Sequence, residues 1–313
     1  MVFFSTIIPI YNRANLIQHT INSILEQENC DTEIIVVDDG STDGTIDKLA
    51  IYGNKIKIIR QQNKGPGAAR NLGISHAKGK YITFLDSDDI WFPWTLSIYK
   101  EAIINNNFPA FIAGESILFQ SENEVNLIRY SSPTLQLFAD YYSSYKQSLW
   151  LLPGGVAIKT DILRQAEGFT NKWINGEDSD LWLKLGTAEG FVHIQSPPVF
   201  AYRQHSDSAI ANNHKTYEGA WYMIQREKSN SYPGKKERQL ERLAILMRHV
   251  RPVTLACLKE KAINDGWKIY QKTFFWNLHL KRFLYLLIFP VFIIKSYINI
   301  NLSTYFKKPT LDI

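Results

Sequence analysis

Cysteine is scarce: the 313 residues contain two, Cys30 and Cys257. That excludes a disulfide scaffold and a cysteine-built zinc cluster, and reads as two reduced thiols. With 17 Gly and 12 Pro the chain is no collagen-like repeat, and with 45% hydrophobic residues it is no disordered chain. Internal repeats and low-complexity segments are absent. The apolar run Phe283 to Ile294 has twelve residues, short of the ~20 that an ordinary spanning helix needs. The opening Met1-Val2-Phe3-Phe4-Ser5 has no basic residue ahead of its apolar ones, and Pro9, Asn12 and Arg13 soon follow. It reads as a first strand rather than a signal peptide.

Charge is present but unevenly placed. Residues 1–225 hold 18 Lys and Arg against 24 Asp and Glu, whereas residues 226–313 hold 17 against 6. An acidic body with a basic tail implies separate tasks, the tail being drawn to an anionic partner.

Between residues 4 and 119 short apolar runs alternate with helical patterns. Phe4–Ile10 is β-rich; Leu16, Ile17, Ile21, Ile24 and Leu25 then fall at helical spacing. Glu33–Val37 is a continuous apolar strand ending in Asp38-Asp39-Gly40. A short helix over Thr45–Tyr52, a strand over Lys55–Arg60, a helix opened by Pro66 and a strand over Tyr81–Leu85 follow. This β-α-β-α-β-α-β order predicts an α/β fold, an open parallel sheet with helices on both faces. Ligands in such sheets bind beyond the carboxyl ends of the strands. The polar clusters Tyr11-Asn12-Arg13, Asp38-Asp39 and Asp86 to Asp89 lie at three such ends. Farther along, Asp161–Gln165 and Asp178–Leu185 read as helices, Val199–Arg203 as a strand, and the chain beyond 215 as helical.

Asp86-Ser87-Asp88 puts two carboxylates on nearly the same side of an extended chain. Crowded carboxylates favour a hard divalent cation, Mg²⁺ or Mn²⁺, which could bridge to a diphosphate. The same residues could simply form an acidic turn capping the helix after Pro93. Gly65-Pro66-Gly67 lacks the Gly-x-x-x-x-Gly-Lys-Ser/Thr pattern of a triphosphatase loop.

Six segments occur in a telling order: Pro9-Ile10-Tyr11-Asn12-Arg13, Val36 to Asp43, Gly65 to Ile74, Phe84 to Asp89, Gly176-Glu177-Asp178-Ser179-Asp180-Leu181-Trp182 and Tyr202-Arg203-Gln204-His205. Together, over about residues 3–210, they resemble the family-two glycosyltransferases, enzymes of GT-A fold that are commonly inverting. The resemblance implies that Pro9, Tyr11 and Arg13 line a nucleotide pocket and that Asp39 accepts a hydrogen bond from the N–H of the base. Asp38 belongs either to that pocket or to the cap of its own turn. Arg70 would pair with the diphosphate, or form an ordinary salt bridge. Asp86 and Ser87 would touch the nucleotide sugar, Asp88 and Asp86 would hold the cation, and His205 would ligate it or contact phosphate. Asp178 would be the catalytic base that removes a proton from the acceptor hydroxyl, or a carboxylate complementing a helix dipole, or both. Asp180 reads as a cap. Trp91 and Trp173, with Glu177, are candidates for the acceptor side, since an indole offers a flat face to a sugar.

The resulting expectation is a metal-dependent glycosyltransferase with a catalytic domain over 1–215, divided near 119 into donor and acceptor halves, and a basic helical region over 216–313. The expected donor is a nucleotide sugar, UDP-linked in the first instance. The acceptor would be a glycan or glycolipid of surface-polysaccharide synthesis. Residues 281–308 would either touch the cytoplasmic face of a membrane or pack as a terminal helix on the protein, and nucleic acid is not an expected partner. Two rivals are a nucleotidyltransferase making nucleotide sugars, which should carry a Gly-rich N-terminal signature absent here, and an inactive nucleotide-sugar-binding scaffold.

Overall fold

A computed structural model describes residues 2–27, 31–204, 213–259 and 262–305, with side-chain surroundings described to 296. The chain divides into two compact units: residues 1–173 with 177–211, and residues 174–176 with 212–313.

The first unit runs β1 (Phe4–Ile10), α1 (Ile17–Leu25), β2 (Thr32–Asp38), α2 (Thr45–Leu49), β3 (Lys57–Arg60), α3 (Pro66–His76), β4 (Tyr81–Phe84), β5 (Ile90–Trp91) and α4 (Thr95–Asn105). It continues through β6 (Phe111–Gly114), β7 (Ser116–Phe119), α5 (Glu122–Asn126), β8 (Thr134–Phe138), β9 (Val156–Lys159), α6 (Thr160–Gln165), α7 (Glu177–Lys184), β10 (Phe191–Ser196) and β11 (Phe200–Arg203). Eight strands form one sheet in the order β3-β2-β1-β4-β9-β6-β10-β8, and β5-β11-β7 form a second. Strands β3, β2, β1 and β4 are mutually parallel. The carboxyl ends of all four therefore open on one edge of the sheet.

All seven residues of β1 are buried, as a strand covered on both faces must be. Its polar members are satisfied within the sheet: Thr6 Oγ1 lies 2.9 Å from Thr83 Oγ1, and Ser5 donates to Glu33 over 2.6 Å. Register pairing of β1 with β4 ends at Ile7↔Phe84, where Leu85 N–H still reaches the Ile7 carbonyl. Pro9 points to the same side two residues on, past the end of that ladder, where its missing N–H breaks no bond. Helix α1 buries Ile17, Ile21 and Ile24, the i, i+4, i+7 stripe read from sequence. In α3, a Cβ at Gly73 would collide with Ile7, so glycine lets the helix lie close on β1.

Three differences from the sequence reading concern the second half of the sheet and the second helix. The expected helix over Thr45–Tyr52 stops at Leu49 and continues as a tighter turn over Ala50–Lys55, with Gly53 at φ 52°. Strand β9 enters antiparallel between β4 and β6, and β8 closes the edge antiparallel to β10. The sheet is parallel across β3, β2, β1 and β4 and mixed beyond them.

The second unit contains α8 (Asn213–Lys228), α9 (Gln239–Lys259), α10 (Ile263–His279) and α11 (Phe283–Tyr305). Ile263, Tyr270, Leu286, Phe289 and Ile293 form an apolar cluster between α10 and α11. Arg242 is buried against Glu227 through Nε–Oε2 at 2.6 Å and Nη2–Oε1 at 3.0 Å. Among the described residues no helix is long and apolar enough to cross a membrane.

Candidate active site

Two loops at the carboxyl edge are stitched together by short polar side chains. Asn12, at φ 52°, donates its backbone N–H to Ser41 Oγ over 2.9 Å, and its side-chain oxygen accepts from Thr42 N–H over 2.8 Å. Arg13 N–H donates to Thr45 Oγ1 over 2.8 Å and Ala14 N–H to Asp43 over 3.1 Å. Asparagine tolerates the left-handed backbone that this turn requires. The stitching leaves Tyr11 46% exposed, an open ring beside the strand ends, while Pro9 is enclosed within β1.

The two adjacent aspartates after β2 have different work. Asp38 is fully buried; it accepts from Ser41 N–H at 2.9 Å and from Arg60 Nε at 2.9 Å. Of its two sequence readings, the cap of its own turn is the one its contacts bear out. Asp39 accepts from Gln61 Nε2 at 2.7 Å, Lys64 N–H at 2.9 Å and Gly65 N–H at 2.8 Å. It gathers the loop ahead of α3, and a carboxylate has capacity for about one more donor beyond these three. Gly65 has φ 88°, and a Cβ there would lie 2.7 Å from the Trp173 indole. Trp173, half-exposed, thus packs its indole on the loop that Asp39 organises.

The acidic turn after β4 is held from several directions. Asp86 accepts from Arg70 Nη2 at 2.6 Å, and Asp88 from Arg13 Nε at 3.3 Å. Ser87 is buried. Asp89, which carried no assignment from sequence, is 1% exposed and accepts from Arg203 N–H at 2.9 Å. Arg203 Nε in turn donates to the Asp88 carbonyl at 2.8 Å and its guanidinium lies 4.4 Å from the Phe119 ring centroid. Burial, then the charges of Asp86 and Asp88, push the Asp89 carboxyl well above the ordinary carboxylate range. Arg203 stood only inside a motif; the Asp89 and Arg203 contacts join residues 114 apart and leave no local sequence signal.

Arg70 is the hub. Its guanidinium is buried, donates to Asp86 through Nη2 and to Glu177 through Nη1 at 2.9 Å, and lies 5.2 Å from the Phe169 ring centroid. Burial acts against its charge, but Asp86 and Glu177 outweigh that and raise its pKa. Arg70, read from sequence as a diphosphate partner or a salt bridge, here joins the acidic turn to the first turn of α7 through Nη1 and Nη2.

Asp178 follows Glu177 there. Its Oδ1 accepts from Ser179 N–H at 2.7 Å and Ser179 Oγ at 3.3 Å. Burial, then the neighbouring Glu177 charge, push its carboxyl up to about 7, against the pull of the Ser179 hydrogen bonds and Arg70. A base poised near neutrality is what proton abstraction requires. Asp180, read as a cap, is fully buried. Trp91, the other acceptor candidate, is 2% exposed and gives its indole N–H to the Gly154 carbonyl at 2.8 Å. Enclosed and satisfied, it is a core residue and offers no sugar platform. His205 lies outside the described residues.

The Asp86 and Asp88 carboxylates are hard oxygen donors at a strand end, already attracting two arginines. This chemistry fits a divalent cation. Among the described residues, no group of three or more His, Cys, Asp or Glu is assembled as a ready-made cage.

Comparison with known proteins agrees with this geometry. The family model described as glycosyl transferase family 2 matches residues 5–138. An uncharacterised glycosyltransferase of Rickettsia prowazekii is 30% identical over 229 residues, covering 69% of this chain and 70% of that protein. One from Rickettsia conorii is 46% identical over 106 residues, 33% of this chain but 18% of its own length, so the chain spans under a fifth of that relative. The crystal structure of Staphylococcus aureus TarS 1–349 in complex with UDP-GlcNAc aligns with TM-score 0.57 and 19% identity over 86% of this chain and 89% of that one. With the parallel strands β1 to β4, their shared loop edge and these matches in hand, the chain belongs to glycosyl transferase family 2 and has the GT-A fold.

Proposed function

We propose that this chain moves a sugar from a nucleoside-diphosphate sugar, a UDP-sugar in the first instance, to a hydroxyl of a glycan or glycolipid acceptor in surface-polysaccharide synthesis, inverting the anomeric carbon. The observation that carries the reading is the Arg70 strut, which ties Asp86 to Glu177 and so sets Asp178, with its carboxyl near 7, close to the strand-end carboxylates. The UDP-GlcNAc complex of the similar TarS structure supports the donor class.

Tyr11 would offer its exposed ring to the base and Asp39 its remaining acceptor capacity to an imide N–H. Trp173 would flank the same pocket. Asp86 and Asp88 would hold a Mg²⁺ or Mn²⁺ ion, which when bound neutralises charge on the departing diphosphate. Asp178 would take the proton of the acceptor hydroxyl as its oxygen attacks the anomeric carbon from the face opposite the diphosphate. The new C–O bond forms as the old one breaks, and the nucleoside diphosphate leaves with the bonding electrons. Residues 1–215 would carry this chemistry, and residues 281–308 would bring the protein to the cytoplasmic face of a membrane.

The test is calorimetric titration of a panel of UDP-, GDP- and dTDP-sugars with and without Mn²⁺, followed by transfer assays with the donor that binds. Metal-assisted binding of one donor, with a product of opposite anomeric configuration, is the expected result. Binding of no nucleotide sugar would sink the reading.

A further inference from the structure

Asp86 and Asp88 share one tight turn, so the directions of their carboxylates depend on the few peptides between them. The Asp89 N–H donates to the Asp86 carbonyl over 3.1 Å and closes the turn. The oxygen of that same Asp88–Asp89 peptide accepts from Arg203 Nε over 2.8 Å. The next carbonyl, that of Asp89, accepts from Thr20 Oγ1 over 2.8 Å, which pins the turn to α1. A residue has only two soft backbone rotations. Holding the Asp88 carbonyl fixes the second of them at Asp88, and with it the direction of the Asp88 side chain relative to Asp86.

Arg203 is itself held still. It ends β11, the central strand of the β5-β11-β7 sheet, and β5 begins directly after the acidic turn. Its backbone N–H donates to Asp89 Oδ1 at 2.9 Å. Its guanidinium lies 4.4 Å from the ring centroid of Phe119, which packs with Phe92 and Ala201. Nη2 is 3.6 Å from Glu122 Oε1 at the start of α5, and that oxygen is also 2.5 Å from His19 Nδ1 on α1. The aromatic floor and the Glu122 pair set the plane of the guanidinium, which leaves Nε directed at the Asp88 carbonyl. The side chain is 11% exposed, so water competes little for this charge-assisted bond, the stronger kind of hydrogen bond. The Asp88 carboxylate, by contrast, accepts from Arg13 Nε. One arginine reaches the side chain and the other the backbone beneath it.

We propose that Arg203 is a positioning residue of the cation site: through its bond to the Asp88 carbonyl it fixes the turn that aims the Asp86 and Asp88 carboxylates. This role rests on the reading of those carboxylates as the holders of a Mg²⁺ or Mn²⁺ ion and adds the residue that keeps them in register. Groups that orient ligands from outside the coordination shell are commonly worth 10–100-fold in metal affinity. The charge of Arg203 acts in the other direction, because a guanidinium near two carboxylates repels a cation that approaches them. Position and charge therefore predict opposite signs. Removing the side chain weakens cation binding if its work is positioning and strengthens it if its work is charge alone.

The experiment measures binding rather than turnover. The full chain is titrated with UDP in EDTA and in Mn²⁺ by calorimetry, and Mn²⁺ uptake by the UDP-loaded protein is followed by the paramagnetic resonance signal of the free ion. Arg203→Met keeps an apolar stem over Phe119 and loses the donors. It should weaken Mn²⁺ binding about tenfold while UDP affinity in EDTA stays within twofold. Arg203→Lys keeps the charge but has no donor at the Nε position, and it should lose nearly as much. Circular dichroism and melting temperature report folding, and Arg203→Lys carries the test where Arg203→Met does not fold. Mn²⁺ binding that is unchanged or tighter in the variants would overturn the positioning role. So would an equal loss of UDP affinity with and without Mn²⁺, which would make Arg203 a general structural residue. Either of these results leaves the cation reading standing. A wild-type protein that takes up no Mn²⁺ in the presence of UDP would overturn the cation reading and the role of Arg203 together.

Discussion

Two buried arginines, one in each unit, contrast with Arg251 and Arg282 beside α11. Arg70 bridges Asp86 and Glu177, and Arg242 grips Glu227 with two forks while donating to the Pro233 and Lys235 carbonyls at 2.9 and 3.0 Å. Each is 3% exposed or less. Arg251 and Arg282 share their surroundings with Arg248 and an aromatic ring, with no carboxylate paired to either among the described residues. A buried guanidinium with its carboxylate in place is a fixed joint, and removing it strands the partner charge. An arginine with no paired carboxylate strands no partner charge when it is removed and adds little to folding. The first arrangement reads as construction and the second does not.

The largest effect should fall on the residue that the Arg70 joint positions. Asp178→Asn keeps shape but removes proton acceptance, so transfer should fall about 10²–10⁴-fold with donor affinity nearly unchanged. The same variant should melt higher than wild type at pH 8. The folded chain retains a proton on Asp178 up to about 7, whereas the unfolded chain gives it up near 3.8. Stability linked to this group therefore falls as pH rises through that window, and asparagine removes the loss. Near-normal transfer, or a lower melting temperature at pH 8, would break the assignment.

Next come the joints themselves. Arg70→Met and Arg242→Met should each destabilise the protein by about 3–5 kcal/mol, measured by urea unfolding. Only Arg70→Met should also depress kcat under conditions where the variant remains folded, because it releases both Asp86 and Glu177. Equal kcat losses in the two variants would erase the distinction between a site joint and a purely structural one. A smaller effect belongs to pH. Transfer should drop about tenfold per unit below pH 7 as Asp178 becomes protonated, and a flat rate profile from pH 5 to 8 would exclude a base of that pKa. The smallest effect is the sharpest contrast: Arg251→Gln should move stability by no more than about 0.5 kcal/mol. A loss as large as that of Arg242→Met would mean that Arg251 is construction after all.

The first half of the fold was legible because its signals are local. Phe4–Ile10, Glu33–Val37 and Tyr81–Leu85 are apolar runs ending in polar clusters, and their order alone implies a shared edge. Strand β9 was not legible. Four residues after a Pro-Gly-Gly turn carry no periodicity, and their place between β4 and β6 depends on partners some 45 to 75 residues away. The site divides the same way. Adjacent aspartates 38 and 39 look alike in sequence, yet one closes its own turn and the other gathers the loop before α3. Trp91 and Trp173 each flank an acidic motif, and only burial separates them.

Residue types at strand ends thus determined the fold family and the chemistry on offer, because backbone pattern and ionisable groups are written directly in the chain. Tertiary structure decided which charges are spoken for. Whether an arginine meets a carboxylate or another arginine depends on contacts between residues far apart in sequence. The Arg70–Glu177 pair spans 107 positions, and burial makes the energy of each such encounter large enough to decide its role.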